Sequence, residues 1–67
     1  MDLLSLVNAF DWNEVKDITV LDQDNNTLQT VTETTPLKDY LKNQKVGVVH
    51  IEHINPRVIS LTAQIAY

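Results

Sequence analysis

The sequence has no cysteine, one glycine, two prolines, and five basic residues against nine acidic ones in 67 positions. Each scarcity excludes something. Without cysteine there is no disulfide to staple a small core, and no thiolate to attack a substrate or bind a metal. The lone Gly47 cannot build a phosphate-cradling or oxyanion loop, which needs several points of close backbone approach. The basic residues Lys16, Lys38, Lys42, Lys45 and Arg57 are scattered, so nothing resembles a patch for a phosphate backbone, and no nucleic-acid partner is expected. The apolar run near Met1 follows an acid and breaks at Asn8 and Asp11, so neither a signal peptide nor a membrane span is expected, and the expected location is cytoplasmic.

What is present fits one folded unit, residues 1–67, near the lower size limit for a self-sufficient core. Such a short chain hides only about 60% of the surface its unfolded form exposes. The composition, 43% hydrophobic and 21% charged, belongs to a globular chain rather than a disordered one. The net charge of -4 suits solubility or a basic partner, but the acids form no row of the kind that mimics DNA. Small cores without staples often lean on a second subunit, so a homodimer is among the expectations.

The most conspicuous stretch is Lys45 to Ala66, which reads as two strands joined by a turn. Ahead of it, Leu3, Leu6, Val7 and Phe10 fall on one face of a short helix over residues 2–10, with Asp2 as its N-cap. Asp11 to Glu14 make a break, either a capping box for one more turn or a loop, with Trp12 expected as a lid on the core edge rather than an exposed anchor for a partner. Residues 15–22 are rich in β-branched side chains and predict a strand. Residues 23–27 carry the Asp and Asn of a turn, and the polar, Thr-rich residues 28–33 predict a paired edge strand. Thr35 as N-cap and Pro36 at the first helical position predict a second helix, with Leu37, Tyr40 and Leu41 on its buried face and Lys42 complementing its dipole. A third strand is predicted from Lys45 to His53 and a turn at Ile54-Asn55-Pro56-Arg57. In the fourth strand Ile59, Leu61, Ala63 and Ile65 alternate against Val58, Ser60, Thr62 and Gln64.

The element order α-β-β-α-β-β predicts an α+β fold: a four-stranded antiparallel sheet with two short helices packed on one face. Val49, Ile51, Ile59, Leu61 and Ile65 are expected to supply half the core, and His50, Glu52, Ser60, Thr62 and Gln64 a wet face where a partner would dock. The order suggests an αββ unit used twice. Shifting Leu6 onto Leu37 also puts Phe10 on Leu41 and Ile18 on Val49, but composition alone yields about as many apolar matches.

The pattern running from the first helix through Ile18-x-Val20-x-Asp22-x-Asp24-Asn25-Asn26-x-Leu28, then Pro36 to Leu41, then Val46-x-x-Val49-x-Ile51, resembles small acidic proteins of bacteriophages and mobile elements of Gram-positive bacteria. The resemblance spans nearly the whole chain through loose motifs, and Asn26-Thr27 stands where such turns often carry glycine. That group has no settled activity, so the resemblance implies a genomic setting rather than a mechanism.

Three constellations bear on chemistry. Asp22, Asp24, Asn26 and Glu33 nearly match a calcium loop, but Thr27 occupies its glycine position and the flanks predict strands where that loop needs helices. His50 and Glu52 share one strand face while His53 takes the other, so the histidines cannot converge as they do on a helix, and two ligands are too few for zinc. Ser5 and Ser60 have no recognisable His–Asp partners, and Glu14, Glu33 and Glu52 lie in separate elements. No catalytic residue, metal ligand or cofactor is therefore assigned, and the chain is not expected to be an enzyme. The expected function is a protein-interaction module, encoded by a phage or mobile element, that binds or modulates a protein partner. The alternative is a homo-oligomeric structural or accessory protein, and a metal-binding protein comes third.

Overall fold

The computed structural model describes residues 1–66. Helix α1 spans Leu3–Ala9, and strands β1 and β2 span Val15–Leu21 and Thr27–Val31. A 3-10 turn covers Asp39–Leu41, and strands β3 and β4 span Val46–Asn55 and Val58–Ile65. The fold is α+β, built on one four-stranded sheet of order β2-β1-β4-β3. Among the described residues no helix is long and apolar enough to cross a membrane.

Both hairpins are antiparallel, but the seam joining them, β1 against β4, is parallel. The sheet is therefore mixed, not antiparallel throughout. Side-chain alternation fixes which face a residue takes and says nothing of strand direction. Direction is set by the connection over residues 32–45, which carries the chain from the end of β2 to the opposite end of the sheet, where β3 starts. Its length suits a crossover, which needs about a dozen residues.

The expected second helix is reduced to that 3-10 turn. Thr35 and Pro36 do not start a helix; Thr32 and Thr35 exchange backbone hydrogen bonds of 3.2 Å each, closing a turn. Pro36 to Lys38 then have no regular structure, and Lys38 is extended at φ -64 and ψ 144. Leu37 and Leu41 still reach the core, one from this segment and one from the 3-10 turn, whereas Tyr40 is 61% exposed. Lys42 meets Asp39 at 2.9 Å rather than a helix dipole.

The first helix forms as its pattern requires. Asp2 caps it by accepting from the Ser5 N–H at 2.9 Å, and Leu3, Leu6 and Val7 face inward. With the 3-10 turn, α1 covers one face of the sheet, where Val15, Ile18, Val20, Val31, Leu61 and Ala63 complete one buried cluster. Phe10 and Trp12 lie half-buried at its margin, so Trp12 is the expected lid.

The core stops at β4. Leu61 and Ala63 are fully buried, but their cross-strand neighbours Ile51 and Val49 are 57% and 37% exposed. The expectation that Val49 and Ile51 carry the core is thus overturned. They lie on the core-side face, but a helix of seven residues and one 3-10 turn reach the fourth strand only at its start, where Val46 packs against the core.

Candidate functional site

β3 is a ten-residue edge strand with Val46 half-buried and every later position exposed. Regular pairing to β4 runs from Val48 to His53 and is interrupted by bulges at Val46/Val48 and His53/Asn55. Of the seven large hydrophobics that stand exposed among the described residues, four (Val48, Val49, Ile51 and Ile54) lie on this strand. Scattered exposed apolar side chains need no explanation, but a concentration on one open strand edge does. The remaining edge of the sheet, β2, is half as long, and the segment after it folds back onto its core-side face through the Gln29 side chain.

The outer edge of β3 is already occupied at its start. Asp2 bridges Lys45, the Val46 N–H donates to the Met1 carbonyl at 2.9 Å, and the Leu3 N–H donates to the Gln44 carbonyl at 2.9 Å. From Gly47 to Asn55 no described segment lies along that edge. Gly47 is required here: a Cβ at this position would stand 2.9 Å from the Cβ of Ala66, so the bulge closes only without a side chain.

The face of the sheet away from α1 carries the polar residues expected to be wet. Thr30, Thr19, Thr62 and His50 form one row across all four strands, and Asp17, Ser60 and Glu52 form the next. The Ser60 hydroxyl donates to the Asp17 carboxylate, an arrangement invisible in the sequence because the two residues lie 43 positions apart. Glu52 flanks Ser60 on the other side, while His50 opposes Thr62 and His53 opposes Ile59. Ser60 is thus bracketed by two carboxylates, with neither imidazole as its cross-strand neighbour.

The two metal-like constellations come apart in space. Asp22 accepts from the backbone N–H groups of Asp24 and Asn26 at 2.8 and 2.9 Å, so its carboxylate closes the β1–β2 turn. The left-handed residue of that turn is Asn25, at φ 67, not Thr27. Glu33 lies beyond the far end of β2, about 20 Å along an extended strand from the turn. The hydrogen bonds from Asn26 hold the Asp22 carboxyl below its ordinary value, against a weaker opposing push from desolvation. On β3, His50 and Glu52 face the open side while His53 turns to the core side, as the strand period requires. There His53 joins Asn13, Glu14, Pro56, Arg57 and Ile59 around an open cleft of about 530 Å³ beside the β3–β4 turn. That turn is tied by Asn55, whose side-chain oxygen accepts from the N–H groups of Arg57 and Val58 at 2.9 Å each. The strand continues to Asn55, two residues beyond the expected end at His53. Among the described residues no three or more His, Asp or Glu side chains group to hold a metal ion.

Comparison with protein-family models, with curated proteins and with solved structures gives no match for this chain.

Proposed function

We propose that this chain is a protein-interaction module that docks a protein partner on the β3 edge and the uncovered apolar side chains beside it. One observation carries the reading: a ten-residue edge strand exposes Val48, Val49, Ile51 and Ile54 while the buried core ends one strand earlier. An open strand offers a row of unpaired backbone donors and acceptors, and strand addition to such an edge is a recurring mode of recognition. Modulation of a host or phage protein, in a bacteriophage or mobile element of a Gram-positive bacterium, is the setting we infer from the sequence resemblance alone. The second reading, a homo-oligomeric accessory protein, uses the same strand.

The test is site-specific photo-crosslinking in a bacterial lysate. A photoreactive side chain at Val48 captures a defined protein, whereas one at Thr30, on β2, does not. Equal capture from both positions, or capture from neither, overturns the reading.

A further inference from the structure

Resting on the reading of β3 as a docking edge, we propose that its occupant is a second copy of this chain, paired antiparallel through β3 with Ile51 opposite Ile51 on the two-fold axis. The product is a continuous eight-stranded sheet in which β3 is no longer an edge.

Two independent constraints select this register. The first is steric. A two-fold axis normal to the sheet keeps each face on its own side, so one residue must pair with its own copy. Centring the pair on His50 would set Asn55 of one copy against Lys45 of the other, where Asp2 already bridges. Centring it on Val49 would push Asn55 further into the same segment. Centring on Ile51 brings Asn55 to Gly47, the first position clear of the Met1–Leu3 strip, and uses the whole open edge.

The second constraint is charge. With Ile51 at the centre, His50 of each copy lies directly opposite Glu52 of the other, on the open face. Val49 meets His53 on the core side. Centring on Glu52 would oppose two carboxylates, and centring on His50 would oppose two imidazoles. Two carboxylates directly opposite across strands destabilise, while an imidazole can donate a hydrogen bond to the carboxylate opposite it and apolar pairs stabilise. Ile51 and Val49 thereby gain a lateral covering that α1 does not supply. The strand also lacks the usual blocks to such pairing: it contains no lysine and no proline, and its bulges lie at its two ends.

The register is tested by charge exchange. His50→Glu opposes two pairs of carboxylates and weakens the dimer about tenfold, read by sedimentation equilibrium of the full chain at neutral pH. Adding Glu52→His in the same chain sets an imidazole opposite each carboxylate again, removes the repulsion and recovers the dimer. Both positions are exposed, so neither change touches the monomer core.

Cross-linking provides a second readout. Because the chain has no cysteine, one introduced thiol can bridge only to a second copy. Ile51→Cys forms a disulfide-linked dimer in a redox buffer. Val49→Cys or His53→Cys alone does not, since each sits about 13 Å along the strand from its own copy, but an equal mixture of the two does. Non-hydrogen-bonded positions, where strands lie closer, bridge more readily, so a mixture of His50→Cys and Glu52→Cys covers the alternate set. Linkage in either set supports the proposal. Efficient linkage of Val49→Cys to itself, or a double exchange that fails to recover the dimer, overturns the register. A strict monomer at millimolar concentration overturns self-pairing altogether, while specific capture at Val48 by another protein would keep the docking reading standing.

Discussion

Gln29 and Pro36 are joined across the core-side face of the sheet: the Gln29 amide donates to the Pro36 carbonyl at 2.8 Å, and its oxygen accepts from the Lys38 N–H at 2.9 Å. Among the described residues Gln29 is the one polar side chain buried with the core. Its two bonds tie residues 36–38 to β2, in the segment that delivers Leu37 and Leu41 to the core. Gln29→Leu removes both bonds and strands two backbone groups near the core. The expected loss is about 2 kcal/mol, seen as a fall of roughly 8–15 °C in Tm for a chain this size. Thr30→Ala, its exposed neighbour, should shift Tm by no more than about 3 °C.

Leu61 and Ile51 face each other across β3 and β4, yet only Leu61 belongs to the core. Leu61→Ala should cost about 3 kcal/mol or unfold the chain, in line with truncation of a fully buried leucine. Ile51→Ala should cost under about 0.5 kcal/mol in urea melts run dilute enough to keep the chain monomeric. Equal losses at both positions would mean that β3 is covered in the monomer.

Those two residues also mark the limit of what the sequence discloses. Alternation placed Ile51, Leu61 and Val49 on one face correctly, but burial depends on how far the covering layer extends. The helical pattern of Leu37, Tyr40 and Leu41 suggested a second helix packed on the same face of the sheet as the first. Gln29 captures the backbone of that segment instead, a tertiary hydrogen bond that no local propensity encodes. The Asp2 cap and the Asn55 turn were legible because each is settled within a few residues. The parallel β1–β4 seam and the Asp17–Ser60 contact were not, being settled between distant parts of the chain.

Gly47→Ala should destabilise by about 1–3 kcal/mol, because its Cβ would stand 2.9 Å from that of Ala66. Ala66→Gly alone should be nearly neutral at its exposed position. The double variant should recover most of the loss, since the clash needs both methyl groups. A cycle showing plain additivity would mean that Gly47 is needed for another reason.

Stability should fall on acidification below the ordinary aspartate value of 3.8. Asp22 is held below it by hydrogen bonds from Asn26, Asp2 by the backbone of Ser5, and Asp39 by a hydrogen bond from the Lys42 ammonium. Each folded value lies below the unfolded one, so in this window the unfolded chain binds more protons. The stabilisation is complete above the unfolded value and is lost as pH falls through the folded one. Thermal melts between about pH 5 and pH 2 should show a falling Tm. Asp22→Asn, which keeps the turn-closing oxygen but cannot titrate, should flatten that fall.

The seam between β1 and β4 has a kinetic consequence. It joins residues such as Asp17 and Ser60 that are 43 positions apart, and it lies at the centre of the sheet. Each hairpin can close locally within microseconds, but neither buries a complete apolar face by itself. Pairing β1 with β4 must close the 32–45 connection, a non-local contact that slows folding more than either turn does. On the ribosome, α1, β1 and β2 emerge before β4, so one edge of β1 stays unpaired until β4 has been synthesised.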